Sequence, residues 1–269
     1  MYQILDSGYI IRRENFKIIM LLAESYDYYL IGPKFFAFVL FVIAGFKIYN
    51  LNRKYALNKY YLAGMLSWGI YILMDALIWV ISDLSATGYE VGSLMRDLQM
   101  FSAMGLGFFI YNAQKIIDKG EKSLYTKRYY VELAVFIVLS ILLVYIDGVR
   151  VYTSDGVIVN KESLPLENVQ TYTVPIITEW TAILTAFPIV VYAYSIYKQF
   201  QLAKSKITEK KLKQRIKKRA VGLILILVGI IYFILQNIVG WSGWAAVLTG
   251  YAFWIIAPVL IYQSTKRRP

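Results

Sequence analysis

The sequence predicts an all-α membrane protein, a seven-transmembrane-helix bundle with its N-terminus outside and its C-terminus inside. Of the 269 residues, 58% are hydrophobic, which exceeds the apolar content of an ordinary soluble domain. Long apolar stretches recur along the whole chain, each close to the roughly 20 residues that a helix needs to cross about 30 Å of hydrocarbon. Basic residues gather in alternate connecting segments, as they do in loops on the cytoplasmic side of a membrane.

The apolar stretches divide the chain into three parts. We predict an extracellular segment at residues 1–28 with a short amphipathic interfacial helix, a seven-helix transmembrane domain at 29–265 and a cytoplasmic tail at 266–269. The first span is the weakest, because Lys34 and Lys47 are accommodated only if both side chains snorkel to opposite surfaces. The predicted spans cover residues 29–49, 60–82, 93–114, 129–147, 174–197, 220–240 and 243–265.

The distribution of lysine and arginine sets the direction of the spans. The segments after spans one, three and five, together with the C-terminal tail, hold 22 of the 29 basic residues. The densest group is the run KITEKKLKQRIKKR at residues 206–219. We expect the segment Lys204–Arg219 to touch anionic lipid headgroups on the cytoplasmic side. The alternative is that this segment binds an acidic cytoplasmic partner. We do not expect nucleic acid as a partner, because the position of the segment on the cytoplasmic side already accounts for its positive charge.

The connection between spans four and five carries a hairpin signal. In VRVYTSDGVIV, residues 149–159, alternating side chains flank Asp155 and Gly156, a pattern typical of a β-hairpin. An extracellular hairpin at this place would either cover the outer mouth of the bundle or only order a long loop. Both interpretations stay open.

The absence of two residue types excludes several classes of chemistry. The chain contains no histidine and no cysteine, which excludes haem with the usual axial ligands, Cys/His zinc sites and Ser-His or Cys-His nucleophiles. The closely spaced acids that hold magnesium in membrane transferases are not found either. The sequence therefore predicts no catalytic residue, no metal site, no cofactor and a protein that is not an enzyme.

Polar side chains inside the predicted spans point to a site near the outer surface. Ionisable groups within a span are costly and therefore often functional. In span two, Trp68, Tyr71, Asp75 and Trp79 recur at spacings of three and four, so they share one helical face. Polar residues of other spans lie at a similar depth. The predicted outward-facing ligand-binding site is bounded by Asp75, Trp79, Arg96, Gln99, Glu179 and Gln236.

This set of residues has two interpretations. Arg96 could pair with Asp75 or Glu179 and thereby only fix helix packing, which requires no ligand. Alternatively, the residues line a hydrated cavity that is open to the outside and binds a small polar or cationic molecule. A continuous ion path is less favoured, because the cytoplasmic half offers few polar residues.

We expect a receptor-like or sensory protein of the cell membrane that signals through a protein partner in the membrane or the cytoplasm. Two alternatives are a small-solute or ion transporter and a non-catalytic structural subunit of a larger membrane complex. A subunit would use an apolar, small-residue helix face as its interface, and span three has small residues that allow another helix to approach closely. These are Ser102, Ala103, Gly105 and Gly107.

Overall fold

The described part of the chain is mostly α-helical. A computed structural model describes residues 13–81, 86–145, 149–153, 158–159, 171–177, 179–205, 210–239 and 244–265. Within these residues the α-helices are α1 (Arg13–Leu51), α2 (Ala56–Ile81), α3 (Ala86–Lys119), α4 (Lys127–Tyr145), α5 (Glu179–Ser205), α6 (Lys210–Val239) and α7 (Trp244–Thr265). A 3-10 helix spans Glu121–Tyr125, and the strands are β1 (Val149–Thr153), β2 (Ile158–Val159) and β3 (Thr171–Ile177).

Among the described helices, four are long and apolar enough to cross a membrane. The segments that qualify lie in α1, α2, α6 and α7 and match predicted spans one, two, six and seven. They are Ile31–Leu51, Ala56–Ile78, Lys210–Gln236 and Ala245–Thr265. This supports a membrane-embedded, multi-pass chain. The other three spans, and the direction in which the chain crosses, stay predictions.

The structure moves two of the predicted boundaries. The backbone of α1 is helical from Arg13, so the N-terminal segment continues directly into the first span, and its position relative to the membrane surface stays a prediction. The fifth helix begins at Glu179 and not at 174, because Thr171–Ile177 forms a strand. Pro175 lacks an amide hydrogen, and the β-branched residues around it favour extended backbone.

The three strands form one small antiparallel sheet in the order β2-β1-β3. Strand β1 pairs with β2 through Val151 opposite Val159, and it pairs with β3 along its other edge. The predicted turn at Asp155 and Gly156 falls outside the described residues. The hairpin itself therefore stays a prediction, as does its role at the mouth of the bundle.

The basic run between α5 and α6 is largely helical. Helix α5 continues to Ser205, and α6 begins at Lys210. Residues Lys210 to Arg219 therefore form the first turns of α6, as expected of a segment that extends both helices out of the apolar region. Residues 206–209 lie outside the described part.

The main apolar core lies between α1, α2, α3, α5, α6 and α7. Its largest fully buried side chains are aromatic or long aliphatic groups and include Phe41, Tyr61, Met65, Trp68, Tyr192 and Tyr251. Such rings bury much apolar surface each, which makes them the dominant packing groups of the bundle.

Small residues of α3 allow its neighbours to approach closely. A Cβ atom at Gly107 would lie 2.6 Å from the carbonyl oxygen of Pro188 in α5, and one at Gly105 would lie 2.7 Å from Oγ of Ser67 in α2. Both distances are too short for non-bonded atoms. The predicted small-residue face of span three is thus occupied by helices of the same chain at these two positions.

Candidate functional site

The carboxylate of Asp75 is the centre of a polar cluster inside the bundle. Its Oδ2 atom lies 2.8 Å from Nζ of Lys34 and accepts a hydrogen bond of 2.5 Å from the hydroxyl of Tyr251. Its Oδ1 atom accepts a hydrogen bond of 3.3 Å from Nε2 of Gln99. These side chains come from α1, α7 and α3, so one carboxylate of α2 connects four helices.

Arg96 joins the cluster through Gln99. Its Nη1 atom donates a hydrogen bond to Oε1 of Gln99, which lies one helical turn further along α3. Both residues are buried, with 8% of Arg96 and none of Gln99 exposed. The amide of Gln99 therefore accepts a hydrogen bond from the guanidinium of Arg96 and donates one to the carboxylate of Asp75. We refer to Lys34, Asp75, Arg96, Gln99 and Tyr251 as the Asp75 cluster.

Lys34 occupies an unexpected position. Only 7% of its side chain is exposed, and its Nζ atom lies 5.6 Å from the centre of the Tyr251 ring and 3.4 Å from the backbone oxygen of Asp75. The expectation that Lys34 snorkels to the membrane surface is therefore wrong. Its side chain turns into the bundle, where a carboxylate, a carbonyl and a ring face offset the loss of water around the ammonium group.

An aromatic layer lies next to the Asp75 cluster. Trp68 stacks on Tyr71 with ring centres 4.4 Å apart and an angle of 3° between the planes. Trp254 of α7 meets Trp68 edge-on at 5.1 Å and Tyr251 at the same distance. Phe233 of α6 packs on Trp254 at 4.9 Å. Trp254 thus joins rings of α6 and α2 to Tyr251, the residue that donates to Asp75.

A cavity of about 160 Å³ is bounded by the same rings. Trp68, Tyr71, Phe233 and Trp254 line one part of it, and Pro188 of α5 lines another. Apolar cavities of about this size hold a molecule as large as benzene. Tyr71, which also lines the cavity, lies one turn before Asp75 on α2.

The indole nitrogen of Trp68 has no hydrogen-bond partner among the described residues. Trp68 is 2% exposed, and a buried donor without an acceptor costs about 1–3 kcal/mol. By contrast, the indole nitrogen of Trp254 donates to the carbonyl oxygen of Ile226 at 3.2 Å. Trp68 also lines the cavity, so the residue combines contact with the cavity and a donor that the described residues leave unsatisfied.

A second polar cluster lies at the other end of the bundle. The hydroxyl of Tyr61 accepts hydrogen bonds of 3.2 Å from Gln199 and from Arg219, and the guanidinium of Arg219 lies 5.4 Å from the centre of the Tyr61 ring. Tyr61 and Asp75 are about 21 Å apart along α2. This cluster was not predicted from the sequence, because Gln199 and Arg219 flank predicted spans and were assigned to the polar connection between them.

The structure brings three of the six predicted site residues together. Asp75, Arg96 and Gln99 lie in the Asp75 cluster, whereas the side chains of Trp79 and Glu179 lie outside the part of the chain that the structure describes. Gln236 is half-buried in α6, and its Oε1 atom has no hydrogen-bond partner within the described residues. Within the described residues, no hydrogen bond or ion pair joins Gln236 to the Asp75 cluster, so its role and the ligand-binding role of the set stay predictions.

Sequence reasoning missed Lys34 and Tyr251. One interpretation of the sequence was that Asp75 forms an ion pair with Arg96 and thereby fixes helix packing. In the structure, the ion pair of Asp75 is formed with Lys34. A signal for Tyr251 was present, because a phenol in the middle of an apolar helix needs an acceptor. The sequence GYAF of α7 therefore pointed to a polar partner on another helix.

The described residues hold no group of three or more carboxylates that could bind a metal ion. The four apolar helices indicate a multi-pass membrane protein, and the Asp75 cluster places an ion pair inside its helix bundle. The chain matches no protein-family model, and it matches no curated protein at a significant level. Function is therefore argued from the geometry of the chain itself.

Proposed function

We propose that the chain is a receptor-like, sensory membrane protein whose Asp75 cluster holds α1, α2, α3 and α7 in one arrangement. The observation that carries the proposal is the ion pair between Lys34 and Asp75 inside the bundle. A buried ion pair contributes little net stability compared with apolar side chains of similar volume. Ionisable residues within membrane spans are instead typical of functional positions.

The adjacent cavity supplies a place for a stimulus. A compact molecule with one acceptor atom would satisfy the indole N–H of Trp68 and press on the aromatic layer. Because Trp254 contacts the ring of Tyr251, a shift of the layer alters the geometry of the hydroxyl that donates to Asp75. A ligand changes an equilibrium only through contacts that differ between two states, and here the differing contact is the Tyr251–Asp75 hydrogen bond.

Helix α6 connects this site to the predicted cytoplasmic surface. Phe233 packs on Trp254, and the same helix begins with the basic residues Lys210 to Arg219. A rearrangement of the aromatic layer therefore repositions a positively charged helix end. The partner that fits this end is an acidic surface of a cytoplasmic protein, in competition with anionic headgroups.

The experiment uses the absence of cysteine, which permits spin labels at chosen positions in an otherwise native chain. Labels are attached to Cys at the exposed positions 54 and 217, after α1 and early in α6, in purified protein. Asp75→Asn removes the charge and keeps the shape of the side chain. We expect this substitution to shift the distance distribution between the labels. The matched control is Asp118→Asn, an exposed carboxylate of α3, which should leave the distribution unchanged.

Two outcomes distinguish a switch from a structural bridge. If Asp75→Asn lowers only the thermal stability and leaves the label distance as in the unsubstituted chain, the sensory proposal fails. Ligand binding has its own readout, in which small aromatic compounds with a nitrogen or oxygen acceptor raise the melting temperature. Trp68→Phe should abolish that increase, since it removes the donor while keeping a ring in the wall.

The two alternatives are less supported by the geometry. A transporter needs polar side chains between the Tyr61 and Asp75 clusters, and the buried side chains between them on α2 are those of Met65, Trp68 and Ile72. Solute uptake into liposomes that disappears on Asp75→Asn would favour a transporter.

A structural subunit needs a helix face that is free to contact a partner protein. Gly105 and Gly107 do not provide one, because both pack against helices of the same chain. Stoichiometric partners that co-purify from native membranes would favour that alternative.

A further inference from the structure

An apolar groove of about 1010 Å³ is lined by side chains of α2, α3 and α4. It runs along α2 from Lys59 to Ile70, which corresponds to about 17 Å of helix. That length is close to the depth of one leaflet of the hydrocarbon core. The side chains that line the groove are mainly apolar or aromatic and include Phe101, Phe108, Phe136, Ile137 and Ile141.

Two of the three serine hydroxyl groups that line the groove already donate hydrogen bonds within their own helices. Ser102 donates a hydrogen bond of 2.7 Å to the carbonyl oxygen of Leu98 in α3. Ser140 donates one of 2.7 Å to the carbonyl oxygen of Phe136 in α4. Neither serine therefore requires water or a polar ligand. A wall of this kind favours a hydrocarbon chain, because a polar guest would lose its hydration without gaining hydrogen bonds.

One end of the groove is basic and carries tyrosines. The hydroxyl groups of Tyr60 and Tyr129 lie 3.0 Å apart, which brings the beginnings of α2 and α4 together. Lys59 precedes Tyr60, and Lys127 opens α4 two residues before Tyr129. Both lysines are exposed, and within the described residues neither has a carboxylate in an ion pair. Tyrosine and lysine together are typical of headgroup depth in a membrane.

The outer surface of α4 fits the same surroundings. Val131 is 63% exposed and Val138 is 54% exposed, so apolar side chains face outward along the helix that forms one wall. We propose that the groove binds one anionic phospholipid, with an acyl chain between α4 and the α2–α3 pair and the headgroup at Lys59 and Lys127. This site is separate from the Asp75 cluster and does not depend on the sensory proposal.

The test measures which lipids stay bound. The full chain is reconstituted with equal amounts of phosphatidylglycerol and phosphatidylcholine of identical acyl chains, extracted gently, and analysed by native mass spectrometry. We expect one retained phospholipid per chain, with phosphatidylglycerol preferred. Lys59→Gln should lower the ratio of bound phosphatidylglycerol to phosphatidylcholine by about fivefold. Lys54→Gln, an equal change of charge at an exposed position outside the groove, should leave the ratio unchanged.

A second variant tests the groove separately from its charged end. Ala63→Phe places a ring in the groove and should reduce retention of both lipids to the level of unspecific binding. Lys59→Gln lies on the exposed rim and keeps the proposal testable should Ala63→Phe fail to fold. Equal ratios for Lys59→Gln and Lys54→Gln would overturn the proposal. So would a chain that is dimeric in detergent and becomes monomeric on Ala63→Phe without loss of lipid, since the groove would then hold a second copy.

Discussion

The hydroxyl of Tyr251 and the ammonium group of Lys34 meet at the same atom, Oδ2 of Asp75, at 2.5 Å and 2.8 Å. Helices α7 and α1 are therefore joined to α2 through one oxygen. Removal of any one of these three side chains leaves the other two with an incomplete set of contacts in a place of low dielectric constant. Changes at this point should have larger effects than changes at exposed lysines or tyrosines.

Loss of Lys34 should destabilise the bundle strongly. We expect Lys34→Met to lower the free energy of unfolding by about 3–5 kcal/mol, because the charge of Asp75 stays in the bundle without its cation. The measurement is denaturant unfolding in detergent micelles. Lys47→Met is the matched control, since Lys47 is exposed on the same helix and should lose less than about 1 kcal/mol.

The double variant Lys34→Met with Asp75→Asn should be more stable than Lys34→Met alone. Neutralising Asp75 removes the unpaired charge that makes the single variant unstable. Should the two losses simply add, the two groups do not form an energetically coupled pair.

The hydroxyl of Tyr251 should contribute more than an ordinary tyrosine hydroxyl. We expect Tyr251→Phe to cost about 1.5–3 kcal/mol, because its acceptor is a carboxylate. The ring contacts with Trp254 and Phe233 are kept in this variant. Tyr232→Phe serves for comparison, since that hydroxyl donates to the backbone oxygen of Ala246 at 2.9 Å and should cost about 1 kcal/mol. Thermal melting of both variants side by side decides the point, and equal losses would contradict it.

Two glycine substitutions should have opposite signs. Gly107→Ala forces a Cβ atom against the backbone of Pro188 and should cost about 1–3 kcal/mol through separation of α3 and α5. Gly32→Ala has no heavy atom within 4 Å of the new Cβ and should stabilise α1 by up to about 1 kcal/mol. Melting temperatures of the two variants provide the measurement. A neutral Gly107→Ala would mean that the two helices do not approach as closely as described.

The side chain of Glu121 should stabilise the first turn of α2 and slow hydrogen exchange there. Its Oε1 atom accepts a hydrogen bond of 2.8 Å from the backbone nitrogen of Ala56, although Ala56 begins α2 and Glu121 lies in the connection between α3 and α4. Without this acceptor the helix start loses about 1 kcal/mol. We expect Glu121→Ala to increase hydrogen exchange at the Ala56 amide about fivefold. Glu121→Gln keeps an acceptor and should exchange close to the native rate; an unchanged rate in Glu121→Ala would exclude this role.

The sequence predicted the helical elements well where the signal is local. Apolar length defined α1, α2, α6 and α7, and the basic run was correctly taken as an extension of helices five and six. The predicted start of the fifth helix at residue 174 was wrong. An apolar stretch does not by itself distinguish helix from strand, and Thr171–Ile177 is rich in β-branched residues, which favour a strand. The contact of Gly107 with Pro188 followed the expectation that small residues permit close helix packing.

The site was predicted only in part, and the reason is geometrical. The helical face of Asp75 was visible from the spacing of Trp68, Tyr71 and Asp75 along one helix. The partners Lys34 and Tyr251 depend on how α1 and α7 are rotated about their axes. Spacing along one helix does not fix the rotation of another, so a lysine near a helix end is equally compatible with a headgroup and with a carboxylate inside the bundle.

The length of α6 has a mechanical consequence. Its 30 residues extend about 45 Å, whereas the hydrocarbon core is about 30 Å thick. If α6 crosses the membrane as predicted, about 15 Å of it extends beyond the hydrocarbon core, at the positively charged end. Gly229 lies against the indole of Trp254, about 28 Å from Lys210 along the axis. A tilt of α6 by about 10° around its contact at Gly229 would displace Lys210 by about 5 Å. A displacement of this size would change the surface that a bound protein contacts.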